Sequence, residues 1–250
     1  TPRMPAEPSP GSSAVPSWTG RSSIKGKGDV TGRPPTATEA RRVVVQVCHR
    51  LYERGLIAGQ DGNVSVRVGA RILVTPAGAS KVDVRARDLI LLRMDGSKVS
   101  GRGSASSEVQ VHLVAYATRP DVGAVVHAHP PTATGFAVAG VPLDYDALAE
   151  LVYNVGRVPI VPYAPPGSAE VAAMVAKALD GADVVLMANH GAVAVGPSLM
   201  VAHQRMESLE HAARILLAAR QLGGVTRLTR AEVRALESAR TTVRNTRVSR

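Results

Sequence analysis

The sequence predicts an α/β domain with a largely antiparallel sheet. Short β-rich runs at 64–68, 72–75 and 89–93 follow one another through tight turns, and tight turns join antiparallel neighbours. Longer segments with helical apolar spacing stand before, between and after the runs of strand. Apolar residues make up 45% of the chain, ample for one core, and aromatics only 3%, so Ala, Val and Leu must fill it.

Residues 1–36 are rich in Pro, Ser and Gly, with Trp18 almost the only large apolar group. Such a segment buries too little surface to offset its ordering entropy, so a disordered leader is expected. It is basic and poor in acids, which makes an organellar transit peptide the alternative, but it lacks the amphipathic pattern. The folded domain is expected over 37–243, with a basic tail at 244–250.

Thr38, followed by Glu39, is expected to cap a first helix with Val43, Val44, Val47, Cys48, Leu51 and Tyr52 as its apolar positions. Gly55 closes it in the C′ position. A turn at 59–63 leads into Val64-Ser65-Val66-Arg67-Val68, an alternating strand, and 72–75 returns as its partner. Pro76-Ala77-Gly78 is a second turn. A link at 84–88 precedes the strand at 89–93, and Asp95-Gly96 signals a hairpin. Ser106-Ser107-Glu108 opens a helix that Pro120 and Asp121 end. Residues 122–126 read as a buried strand, and 132–139 as a short helix. A helical or loop segment spans 145–155, and a strand 158–161. Ser168 caps a helix over 169–179. Strands at 184–187 and 193–195 flank Asn189-His190-Gly191. A long helix spans 198–222, closed by Gly223-Gly224. Thr229 with Glu232 forms a capping box for a last short helix.

The net charge of +10 is concentrated at the ends. Residues 1–36 hold five basic residues against two acidic, and residues 224–250 seven arginines against two glutamates, which leaves +2 for 37–223. The body therefore does not read as a nucleic-acid surface, and it lacks aromatics interleaved with basic residues for base stacking. No apolar run approaches the about 18 residues of a membrane span. The single cysteine, Cys48, excludes a disulfide framework and a thiolate cluster, and its place in a helical run predicts an inert core thiol.

The stretch 104–130 carries the chemistry. His127 and His129 stand two apart at a strand end, so both imidazoles share a face. Zn²⁺ takes neutral imidazole nitrogens at roughly 2.0–2.1 Å, and a facing pair supplies half of a tetrahedral site. The bland alternative is two half-exposed histidines. His49 and His112 fall within helices. His203 and Glu207, at i and i+4, are a rival metal pair, read here as an ordinary surface or interface pair.

Five motifs in register change the balance. Gly62-Asn63-Val64-Ser65, Thr75-Pro76-Ala77-Gly78, Ser106-Ser107-Glu108, His127-Ala128-His129-Pro130 and Asn189-His190-Gly191 follow one another. In order and spacing the chain resembles the class II aldolase/adducin family over residues 40–222. The resemblance implies an α/β/α sandwich and a ring-shaped homotetramer with sites between subunits. It implies a cytoplasmic, zinc-dependent lyase with one Zn²⁺ per subunit, held by His127, His129 and His190. Glu108 matches the family's acid/base residue and is a candidate fourth ligand before substrate binds.

The substrate implied is a ketose phosphate, cleaved to dihydroxyacetone phosphate and an aldehyde. Zn²⁺ would act as Lewis acid, and Glu108 would move the proton at the reacting carbon. Gly62, Asn63, Ala77, Gly78, Ser106 and Ser107 are the expected phosphate cradle, by close backbone approach, side-chain donors and a helix N-terminus. Glu108 reads equally as a carboxylate favoured at that helix end. Gln60 and Ala77 replace threonines of the family's fuculose-phosphate enzyme. Tyr145 and Tyr153 lie near the place of its second acid without aligning, and no tyrosine follows Tyr163. Related epimerase, decarboxylase or dehydratase activity is the alternative. A metal-free, adducin-like interaction module is the alternative from another class.

Overall fold

A computed structural model describes residues 36–248, with side chains described to residue 241. The expected leader, Thr36 apart, and the last two residues of the expected tail lie outside the described residues.

Helix α1 (Ala37–Glu53) begins at a capping box, but Thr36 forms it rather than Thr38. The Thr36 hydroxyl accepts from the Glu39 backbone N–H, and the Glu39 carboxylate accepts from the Thr36 N–H at 2.7 Å. Ser/Thr-x-x-Glu spacing is what lets the two ends meet, and Thr38 stands too close to Glu39 for it. Val44, Val47, Cys48 and Leu51 are buried, whereas Tyr52 faces outward. Gly55 closes the helix at φ +65°.

Strands β1 (Asn63–Val68), β2 (Arg71–Val74), β3 (Ile90–Arg93) and β4 (Lys98–Ser100) form an antiparallel meander. Helix α2 (Val109–Thr118) then carries the chain across to β5 (Ala124–Ala128), which pairs antiparallel with β1. Helices α3 (Pro131–Val138) and α4 (Ala149–Asn154) lead to the short edge strand β6 (Ile160–Val161). Helix α5 (Ala169–Leu179) precedes β7 (Val184–Met187) and β8 (Gly191–Gly196), and α6 (Leu199–Gln221) and α7 (Arg230–Val248) follow. The strand order is β4-β3-β2-β1-β5-β8-β7-β6, antiparallel throughout except for β6 against β7.

Helices cover both faces, so the described residues form an α/β/α sandwich. Helices α1, α3, α4 and α6 bury one cluster against Val64, Val66, Ala124, Val126 and Ala194. Helices α2 and α5 bury the other against Ile72, Val74, Val125, Val193 and Val195. Successive strand residues thus enter opposite layers, as the pleat dictates. In β1, read from the sequence as an alternating strand, the first four residues, Ser65 included, are all buried. An antiparallel strand covered on both faces loses the polar-out signature.

Two further expectations change. The last helix is not short but runs 19 residues, past the boundary drawn at 244. His203 is not a surface residue: it is buried, with Nδ1 3.2 Å from Glu207. Helix α7 is tied to the body through Asp183, which is buried and meets Arg119, Arg205 and Arg240 at 3.0, 2.7 and 2.6 Å. Among the described residues no helix is long and apolar enough to cross a membrane.

Candidate metal centre and active site

The sheet gathers the predicted site at one end. Asn63 opens β1 directly opposite His127 near the end of β5, and Ala128 stands opposite Ala192 at the start of β8. Pairing β5 with β1 and β8 therefore brings His127, His129 and the His190 turn together. In that turn Asn189 adopts φ +56°, the one positive φ outside glycine among the described residues. Asn tolerates this left-handed conformation better than most residues.

His127, His129 and His190 each offer a nitrogen, and the three lie within 4.8 Å of one another. The His127 Nε2 stands 3.1 Å from His129 Nε2. Glu108, at the start of α2, makes no capping bond with its side chain. Its carboxylate turns to the histidines instead, Oε1 3.0 Å from His190 Nε2 and Oε2 3.2 Å from His127 Nε2. Burial pushes the Glu108 carboxyl up, but the bonds and charges of His127 and His190 outweigh it and hold it well below the usual range.

Backbone and carboxylate partners orient the rings. His127 donates from Nδ1 to the Ala192 carbonyl at 2.9 Å, which turns Nε2 toward Glu108 and His129. His129 Nδ1 lies 3.4 Å from Asp61. Burial first, then the neighbouring imidazoles His127 and His190, lower His129 to about 4, so its ring is neutral at pH 7. Three imidazoles and an ionised carboxylate thus converge at contact distance, a donor set suited to zinc. Gly191 makes room: a Cβ there would stand 2.5 Å from His129 Cδ2 and 2.7 Å from the Ala128 carbonyl oxygen.

The residues assigned to phosphate are also neighbours. Pro76 bridges to Ala105, and the Ala77 N–H donates to the Ser104 carbonyl at 2.9 Å, which sets the Ala77-Gly78 turn beside Ser106 and Ser107. Ser107 is exposed and touches the loop at Gly167. The Asn63 amide donates to Ser106 Oγ at 3.1 Å and to Glu108 Oε2 at 3.0 Å. Gly62, at φ +69°, lies against the β5 backbone, where a Cβ would stand 2.7 Å from the His127 carbonyl oxygen.

Sequence reasoning missed several residues here. Lys81 is buried, its ammonium donating to the Gln60 and Ala79 carbonyls at 2.8 Å each, and it ties the turn before Asn63 to the loop after Gly78. Burial holds its pKa below the usual lysine value. His112, Ser65 and Tyr116 are buried behind Asn63. Only His112, a polar residue between Val111 and Leu113, hinted at this. Cys48 is the inert thiol expected, pushed up to about 12 by burial.

A sequence profile of the class II aldolase and adducin N-terminal domain matches residues 42–217. The chain is 33% identical over 172 residues to the L-fuculose phosphate aldolase of Methanococcus maripaludis, covering 68% of this chain and 92% of the relative. It is 34% identical over 205 residues to the 3-oxo-tetronate 4-phosphate decarboxylase of Haemophilus influenzae, covering 79% and 96%. The crystal structure of YgbL from Klebsiella pneumoniae superposes with a TM-score of 0.76 at 31% identity, covering 81% of this chain and 99% of that one. The match spans most of the described domain and every site motif, and the chain belongs to the class II aldolase and adducin family.

Proposed function

We propose that the protein is a zinc-dependent lyase that cleaves a ketose 1-phosphate to dihydroxyacetone phosphate and an aldehyde. One observation carries the reading: three convergent imidazoles with an ionised, half-buried carboxylate against two of them. His127, His129 and His190 would hold the ion, which when bound polarises the carbonyl and adjacent hydroxyl of the substrate as a Lewis acid. Glu108 takes and returns the proton at the carbon that loses its bond to the aldehyde fragment. Ser106 and Ser107, with the Ala77-Gly78 turn beside them, offer hydroxyls and backbone to the phosphate. Active sites between subunits of a homotetramer complete the reading.

A second reading, decarboxylation of a 3-oxo acid phosphate, is favoured by relatives of that name at comparable identity. Glu108 would then protonate the carbon that loses carbon dioxide. Zinc-loaded protein incubated with a panel of ketose 1-phosphates and 3-oxo acid phosphates separates the two. Release of an aldehyde together with dihydroxyacetone phosphate supports cleavage, and release of carbon dioxide supports decarboxylation. Turnover of neither class overturns both.

A further inference from the structure

Behind the Asn63 amide lies a chain of buried polar groups that nothing in the reaction uses directly. Asn63 Oδ1 meets His112 Nε2 in a short hydrogen bond. His112 Nδ1 is 2.7 Å from Ser65 Oγ, which is 2.7 Å from the Tyr116 hydroxyl. Ser65 and His112 have no measurable exposure, and Tyr116 is only 2% exposed.

The direction of every bond follows from the Glu108 end. An ionised carboxylate only accepts, so Asn63 must point its NH₂ at Glu108 and Ser106, and its Oδ1 at His112. His112 Nε2 must then be the donor. Burial lowers this imidazole to about 3, so it is neutral at pH 7 and its Nδ1 accepts. Ser65 therefore donates to His112, and Tyr116 donates to Ser65. Every donor in the series has one acceptor.

We infer that Tyr116, Ser65 and His112 form a one-way hydrogen-bond relay that locks the Asn63 amide with both N–H groups toward the site, which makes His112 a positioning residue for Glu108. Without it the amide is free to rotate, and Asn63 Oδ1 then faces the carboxylate oxygen, acceptor against acceptor. The relay controls where the Glu108 carboxylate sits, and it leaves the three metal-holding imidazoles untouched.

The role of the relay rests on the proposed function, and its test separates the two. The probe is dihydroxyacetone phosphate in deuterium oxide with zinc-loaded protein, with proton–deuterium exchange at carbon followed by NMR. His112→Phe is expected to keep its zinc and to lose about tenfold or more in maximal exchange rate, the scale of a misplaced reacting group. His112→Gln is expected to recover most of the rate, because its amide nitrogen reaches the place of Nε2 and donates to Asn63. A merely structural role would lower folding or zinc content in both variants alike. If His112→Phe does not fold, Ser65→Ala severs the same relay one step back and takes its place. Independently, ¹⁵N NMR of the metal-free protein is expected to show His112 protonated on Nε2 alone. Protonation on Nδ1 instead, or wild-type exchange in folded, zinc-loaded His112→Phe, overturns the relay. If the wild-type protein exchanges no proton, the proposed function fails, and the His112 tautomer alone decides the relay.

Discussion

The Nε2 atoms of His127 and His129 face each other across 3.1 Å, while the far nitrogen of His127 is held by the Ala192 carbonyl and that of His129 lies near Asp61. The proposed metal site places a divalent ion between these two nitrogens and His190. His129→Ala is expected to bind no stoichiometric metal and to lose turnover. Full zinc occupancy by elemental analysis of that variant would remove His129 from the ligand set.

Gly191→Ala tests the space rather than the ligand. The added methyl group would stand 2.5 Å from the His129 ring, so the ring must swing out of the site. Metal affinity is expected to fall about tenfold to a hundredfold, the scale on which support for a ligand matters. Competition with a chromophoric chelator measures it, and unchanged affinity would mean that the turn at His190 yields instead.

Glu108→Gln is expected to keep most of the metal, since three imidazoles remain, yet to lower kcat by about 10²-fold or more. A near wild-type kcat would leave Glu108 as no more than a residue at the start of α2.

Acid should destabilise the metal-free protein in a defined window. Burial holds His112 at about 3 and His129 at about 4 in the fold, against an ordinary 6.5. Below pH 6.5 the unfolded chain takes up protons that the folded one refuses, so stability falls as pH drops from 6.5 toward 4, and His112 continues the fall toward 3. Urea midpoints across that range read the slope. His112→Gln is expected to flatten it, and an unchanged slope would place the acid-sensitive groups elsewhere.

Asp183→Asn strikes far from the metal. It leaves Arg119, Arg205 and Arg240 gathered around a neutral amide, and breaking a buried ion pair costs about 3–5 kcal/mol. Denaturant unfolding should show a loss of that size, with zinc stoichiometry unchanged in the fraction that stays folded.

Much of this architecture was legible in the sequence because its signals are local. A strand ending in His127-Ala128-His129, the Asp95-Gly96 hairpin and the Ser168 cap each lie within a few residues of their own cause. The error at Thr38 was a local one too, since counting three residues back from Glu39 arrives at Thr36. What could not be read is non-local. His112 looks like any residue of a helix until Asn63 and Ser65, on a strand more than forty positions away, close around it. Lys81 likewise looks like a surface lysine until two turns fold over it. The burial of β1 on both faces depends on where α2 lands, which no periodicity within β1 records.

The pairing of β5 with β8 also sets an order of events during synthesis. As the chain emerges, His127 and His129 appear together, but His190 follows only after two more strands and three more helices have been made. Until β8 docks beside β5, the nascent protein presents two imidazoles, a weak and exchangeable perch for any passing ion. The third arrives with β8, while α6 and α7 are still to be made. Under the proposed function, stable capture of the ion therefore waits for β8 and precedes the packing of the last two helices, so metal supply would bear on the late stages of folding.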